Sequence, residues 1–176
     1  MSYTDTKIHR QERLDRYVAR RVLETLCVEK QTIICQATKY VDPVDLICLL
    51  IDKEDDTRRQ INVEIKERQK DASTLAAYPF AELKVEKYER MKAFTPVYAD
   101  LYYMVLLNRE KALLYNMNAL DWTRVKRTVW NIKVTEYNST SHYQETPMYM
   151  IPYEDAELVV NCSEFYDEFF EDKYDG

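Results

Sequence analysis

Between Thr6 and Glu29 apolar side chains recur at helical spacing. On a wheel of about 100° per residue, Ile8, Val18, Ala19, Val22, Leu23 and Leu26 gather on one broad face, while Arg13, Arg16, Arg20 and Glu24 lie on the other. The spacing predicts one long amphipathic helix. The pattern then changes to strand-like runs: Thr32–Lys39, rich in β-branched residues, Val44–Ile51, and Gln60–Glu67. Residues 52–59, between the last two runs, are wholly polar and of hairpin-loop length. A second helix is predicted over Pro79–Ala93, with Pro79 tolerated in its first turn. Leu101–Leu107 and Ala112–Tyr115 read as two further strands, followed by weaker strand signals at Val125–Thr135 and Met148–Ile151. No repeat or linker interrupts this order of helix, three strands, helix and more strands. It predicts one α/β domain over residues 1–162.

Composition narrows the choice of chemistry. The chain has 176 residues, 46% hydrophobic and 32% charged, the profile of one soluble globular domain. Its one glycine is Gly176, which excludes phosphate-cradling Walker loops and GxGxxG turns. Cys27, Cys35, Cys48 and Cys162 form no CxxC pair, so neither a zinc site nor a disulfide framework is expected. No apolar run has membrane-spanning length and no signal peptide is visible; a reducing, cytoplasmic setting is expected. The net charge of −6 is concentrated at the end of the chain. In residues 163–176, Glu164, Asp167, Glu168, Glu171, Asp172 and Asp175 face Lys173 alone, interleaved with Phe165, Tyr166, Phe169, Phe170 and Tyr174. This segment reads either as a C-terminal helix packing its aromatics on the body or as a tail that binds a protein partner or mimics DNA.

The chemistry-bearing segment is Asp42-Pro43-Val44-Asp45-Leu46 followed by Val63-Glu64-Ile65-Lys66. Strand side chains alternate, so Glu64 and Lys66 share one face and Val63 and Ile65 the other. An antiparallel hairpin folded about the polar loop places Asp45 opposite Glu64 or Lys66, and either register puts all three on one face. Neighbouring carboxylates repel unless something compensates them, and a divalent cation does so. Mg²⁺ accepts such hard oxygen ligands, often one or two carboxylates with waters and a substrate phosphate. Without metal, the same residues are an ion pair at a sheet edge.

In these residues the sequence resembles the PD-(D/E)XK nuclease superfamily, which includes Holliday-junction resolvases, restriction enzymes and small phage recombination nucleases. The resemblance runs over roughly residues 10–107. It implies an α/β restriction-endonuclease-like core, a mixed central sheet flanked by helices. It further implies that Asp45 and Glu64 ligate Mg²⁺ or Mn²⁺ with help from the backbone carbonyl of Ile65, and that Lys66 is the catalytic lysine. The family places proline directly before its aspartate, whereas Val44 intervenes here. Asp42 is thus an alternative ligand, although strand parity puts it on the opposite face from Asp45. Many relatives carry a glutamate in the first helix. Glu12, at the edge of the apolar face, fits better than Glu24, with Asp15 as competitor and an i,i+4 pair with Arg16 as its structural reading.

The second predicted helix resembles the crossover helix of phage-type relatives, where a lysine stands one turn before the last apolar residue. Lys87 matches that position and Lys84 lies one turn earlier. Both would contact a substrate phosphate, or else form a solvated face with Glu82, Glu86 and Glu89. Arg13, Arg16 and Arg20 form a stripe able to track a phosphate backbone or simply to face water. The 15 tyrosines read as core and interface residues, and the isolated His9 and His142 receive no role. The resemblance implies a metal-dependent nuclease acting on branched or duplex DNA in phage or mobile-element recombination, repair or processing, and able to form a homodimer. The alternative is a non-catalytic nuclease fold serving in nucleic-acid binding or virion assembly.

Overall fold

The computed structural model describes residues 3–39, 41–136 and 140–171, with side chains from His9 onward. Helix α1 (Tyr3–Glu24) is followed by β1 (Gln31–Ala37), β2 (Leu46–Asp52) and β3 (Arg58–Arg68). A short helix α2 (Ala72–Ala77), strand β4 (Phe80–Lys84) and helix α3 (Val85–Phe94) lead to β5 (Asp100–Leu107) and β6 (Lys111–Asn116). The chain continues through β7 (Lys126–Thr135), β8 (Ser141–Pro152), β9 (Leu158–Asn161) and α4 (Ser163–Glu171). A six-stranded sheet runs in the order β1-β2-β3-β5-β6-β9, and a three-stranded sheet in the order β4-β8-β7. β1, β2 and β3 form an antiparallel meander, and the crossover through α3 returns β5 parallel to β3. This mixed sheet is the core of an α/β fold. Among the described residues no helix is long and apolar enough to cross a membrane.

The two faces of the main sheet explain its composition. On one face, Leu14, Val18, Val22 and Leu23 of α1 pack on Leu46, Cys48, Val63, Ile65 and Met104, with Tyr166, Phe165, Phe169 and Phe170 of α4 alongside. The other face carries Tyr103, Val105, Leu113 and Tyr115 beneath Met91 of α3 and Ala81, Leu83 and Ile151 of the smaller sheet. Inner strands covered on both faces lose their polar alternation, and the burial of every residue of β5 after Asp100 is the result. Aromatics in α4 turn inward while one of its acids meets a cation: Glu168 accepts from Arg21 at 3.0 Å, and the Arg21 guanidinium lies 5.0 Å from the Phe165 ring centroid. The expectations for Asp172–Gly176 and for the Ile8 side chain fall outside the described residues.

Several sequence expectations need correction. The helix expected over Pro79–Ala93 is instead β4 followed by α3. Ala81, Glu82, Leu83 and Lys84 are good helix formers, but pairing from Phe80↔Pro152 to Lys84↔Met148 overrides that local preference. Lys84 therefore closes a strand and caps α3 rather than sharing a helix face with Lys87. The first helix stops at Glu24, where Leu26 N–H bonds to the Leu23 carbonyl in a tightened last turn. The smaller sheet means that helices cover only one face of the main sheet alone; the other is shared between α3 and β4-β8.

With no glycine before Gly176, the chain turns with other residues. Lys30, Asp56, Asn108 and Arg109 all have φ between 54° and 70°. Asn108 and Arg109 are the central residues of the turn Leu107–Glu110, closed by Glu110 N–H to the Leu107 carbonyl at 3.0 Å, and both take left-handed backbone there. Arg109 is held there by Glu67 at 3.1 Å and by the Tyr166 ring 5.5 Å away.

Candidate active site

A difference in strand length builds the site. The β2–β3 ladder ends at Leu46↔Val63, while β3 runs on to Arg68. Residues from Glu64 onward thus project past β2, leaving backbone groups on that side without a strand partner. Asp45, one step before the ladder, lies abreast of Glu64. Its N–H bonds to the Val63 carbonyl at 2.9 Å, and its carboxylate accepts from the Ile65 N–H at 2.8 Å. Asp45 therefore caps the projecting strand. The N–H and C=O of one strand residue point to the same side, so the Ile65 carbonyl is directed at the same overhang.

α1 and α3 close this overhang into a cleft of about 380 Å³ lined by Glu12, Asp15, Arg16, Asp45, Glu64, Ile65, Lys66 and Lys87. The sequence expectations meet here: Asp45, Glu64 and Lys66 come together, with Glu12 and Asp15 across from them and Lys87 above. Glu64 is buried, and Lys87 Nζ reaches its Oε1 at 2.9 Å. Lys66 stands at the mouth, and Arg16 lines the wall that Arg13, exposed to water, does not reach. Asp42 is engaged elsewhere: its carboxylate accepts from the Lys39 N–H at 2.9 Å within the β1–β2 connection. Val44, which separates Pro43 from Asp45, packs into the core on the α3 side of the sheet, and Asp45 follows it just beyond the ladder, abreast of Glu64.

The electrostatics follow from this crowding. Burial, reinforced by the Asp45 charge, pushes the Glu64 carboxyl up to about 8 even though Lys87 opposes the shift. Partial burial, with Arg68, Lys87 and Lys84 nearby, lowers the Lys66 ammonium below the usual lysine range, against the pull of Glu64. Burial also raises Asp15, to about 6; a hydrogen bond from Gln11 at 2.9 Å opposes the rise, and the charges of Glu67 and Asp45 add to it. Glu12, in contrast, faces His9 at 3.6 Å. Glu12 and Asp15 are the two acids that α1 brings to the cleft.

The donor set suits a hard divalent cation. Among the described residues no three His, Cys, Asp or Glu side chains form a ready-made cage. Two carboxylates in a solvent-filled cleft are nevertheless the usual protein share for Mg²⁺, whose remaining positions go to water and phosphate. Burial is the larger cause of the upward shift of Glu64 and the Asp45 charge the second, and it is the second that a cation would relieve.

Sequence reasoning missed a cluster behind the cleft. Gln11 donates to Glu67 at 2.6 Å, and Arg109 reaches both Glu67 at 3.1 Å and Gln11 at 3.2 Å. Glu67 lies one residue beyond Lys66, on the opposite strand face, and supports α1 where Glu12 and Asp15 emerge. Only long-range packing joins residues so far apart in the chain.

No family model matches the chain, and no curated protein matches it. Among solved structures, Hjc from Archaeoglobus fulgidus, a Holliday junction resolvase from an archaeal hyperthermophile, is similar at 17% identity. The TM-score is 0.40, and the match covers 86% of this chain and 98% of that one.

Proposed function

We propose that this protein is a metal-dependent nuclease that hydrolyses phosphodiester bonds of DNA, with Asp45 and Glu64 as ligands of Mg²⁺ or Mn²⁺. The observation that carries this reading is the overhang, where two carboxylates abut beside two lysines in a solvent-filled cleft. When bound, the cation would polarise the phosphoryl oxygen and lower the pKa of a coordinated water. Asp45 is held in place by Ile65 N–H, so its second oxygen is left to face the cleft. Glu64 would ligate as its carboxylate, in competition with the Lys87 ammonium 2.9 Å from Oε1. Lys87 is then free to meet a phosphate oxygen. Lys66, with its pKa lowered, orients the attacking water or stabilises the charge that develops on phosphorus-bound oxygen. Asp15, and less directly Glu12, complete the acidic wall, while Arg16 offers a charge to the flanking phosphate.

The setting that fits the sequence resemblance is phage or mobile-element DNA recombination, repair or processing, with a second copy able to supply the cut on the opposite strand. The direct test is cleavage of branched, single-stranded and duplex DNA in Mg²⁺ and Mn²⁺. Asp45→Asn, Glu64→Gln and Lys66→Met are each expected to lower the rate by at least about a hundredfold with folding retained. Wild-type rates in all three variants would overturn the assignment. The Lys87–Glu64 ion pair, which satisfies Glu64 without metal, favours one second reading: a nucleic-acid-binding protein with the nuclease fold and no cleavage.

A further inference from the structure

Beside the cleft lies a larger trough of about 500 Å³, whose lining includes Lys66, Arg68, Lys84, Arg90, Trp130 and Met148. Glu64, Lys66 and Lys87 line both cavities, so the trough runs on from the candidate metal site. We infer that it receives a single-stranded stretch of the nucleic acid, with one base stacked on Trp130. The inference rests on the nuclease reading for its ligand class and adds the form of the substrate.

The smaller sheet shapes this trough. Pairing of Thr128↔Met148, Trp130↔Thr146 and Ile132↔Gln144 puts Trp130 and Ile132 on one face of the β7–β8 ribbon with Met148. Lys84↔Met148 adds Lys84 to that face. The trough thus has an apolar ribbon wall opposite the Lys66–Arg68 row of β3, with Lys87 and Arg90 of α3 at its rim.

The two tryptophans differ in a way that points to a ligand. Trp122 packs against Tyr88 and Tyr149 with ring centroids 4.8 and 5.1 Å away, and its indole N–H bonds to the Met117 carbonyl. Trp130 is 38% exposed and has no aromatic or hydrogen-bond partner among the described residues. Lys66, Lys84 and Arg90 have no ion-pair partner among the described residues either, in a chain whose net charge is −6. Of the three acids lining the trough, Glu82 is already taken by Lys70 and by Arg68 at 3.6 Å and Glu64 by Lys87 at 2.9 Å, which leaves Glu86 against the three cations. Unspent cations beside an open indole match phosphates alternating with bases whose faces are bare. Except at its ends a duplex buries its base faces by stacking, whereas an unpaired strand can turn a base onto an aromatic ring. The substrate class is therefore DNA with an unpaired segment next to the scissile bond, such as a flap, an overhang or a branch point.

The test compares a labelled oligothymidylate with a blunt duplex of equal length, by fluorescence anisotropy in EDTA so that nothing is cut. The oligothymidylate is expected to bind at least about tenfold more tightly and to quench tryptophan emission. Trp130→Leu, which keeps apolar bulk but removes the aromatic face, should weaken it by about tenfold and leave duplex binding within about twofold. Trp130→Phe should restore most of the loss, and a circular dichroism melt confirms that each variant is folded. Equal affinity for the two probes, or an oligothymidylate affinity unmoved by Trp130→Leu, would overturn the inference. The two readings fail separately. Binding that follows this pattern without metal-dependent cleavage removes the nuclease and leaves the trough, whereas cleavage abolished by Asp45→Asn with no effect of Trp130→Leu removes the trough alone.

Discussion

Substituting Asp45 by Asn separates the two tasks of that residue. The amide oxygen can still accept from the Ile65 N–H, so the cap on the projecting strand persists, while the negative charge beside Glu64 is gone. In the wild-type protein the folded-state pKa of Glu64, about 8, lies above its ordinary value of 4.5. A raised carboxyl means that the native state keeps a proton which the unfolded chain releases between those two values. Glu64 therefore contributes a stability that is full below about pH 4.5 and declines as pH rises toward 8. Asp15, raised to about 6, adds a smaller decline of the same sign at lower pH. Burial is the largest cause for Glu64 and Asp45 the second, so removing the Asp45 charge should return about 1–2 kcal/mol at pH 8. Urea unfolding in EDTA, followed by tryptophan fluorescence between pH 5 and 8.5 (about one unit per step), reads this directly. The variant should match the wild type at acid pH and exceed it at alkaline pH. Mn²⁺ reverses the order: at ten times its dissociation constant it should stabilise the wild type by about 1.4 kcal/mol and the variant by nothing. An unchanged pH slope in the variant would show that Asp45 does not act on Glu64, and equal Mn²⁺ stabilisation would remove it from the ligand set.

Lys87→Met should raise the Glu64 pKa further and destabilise the metal-free protein by about 1–2 kcal/mol at pH 8. The loss should shrink at pH 6, where protonated Glu64 no longer needs a cation; a loss independent of pH would refute the pairing. Tyr103→Phe removes a buried hydroxyl that donates to the Glu82 carbonyl at 2.8 Å and should cost about 1–2 kcal/mol in urea unfolding. Met104→Ala, at a fully buried position of the inner strand β5, should cost about 2–4 kcal/mol by the same assay. Lys30→Gly exchanges a left-handed lysine at φ 70° for the residue that adopts this conformation freely, and should raise the melting midpoint by about 0.5–1 kcal/mol equivalent despite losing the surface contact with Glu54.

The meander and its acids were legible because two short-range signals agree there. Alternation fixes which face Glu64 and Lys66 take, and the polar stretch around Asp55 fixes the fold-back point, so Asp45 had to fall beside them. Strand β4 was illegible for the opposite reason: its residues prefer helix, and their partner strand lies far downstream, beyond Ser141. The Gln11–Glu67–Arg109 cluster gave no local signal, since its members come from a helix, a strand and a hairpin turn. Trp130 stands in a strand that was foreseen, but its neighbours across the trough belong to β3 and α3, which no periodicity connects to it. Of Asp42 and Asp45, strand parity favoured the latter, and Asp45 is the one that lines the cleft. Val44 finds a place in the core, and so the proline spacing differs without displacing the carboxylate.

The unequal lengths of β2 and β3 also determine where the chain tolerates added or missing residues. The loop around Asp55 is solvated and attached at the far end of the hairpin, so a longer or shorter version leaves the acids abreast. An insertion between Asp45 and Leu46, or between Val63 and Glu64, would rotate one carboxylate to the opposite side of the sheet and into hydrocarbon. Homologous chains that share this chemistry should therefore vary freely in length at the hairpin tip and not at all across the step from ladder to overhang.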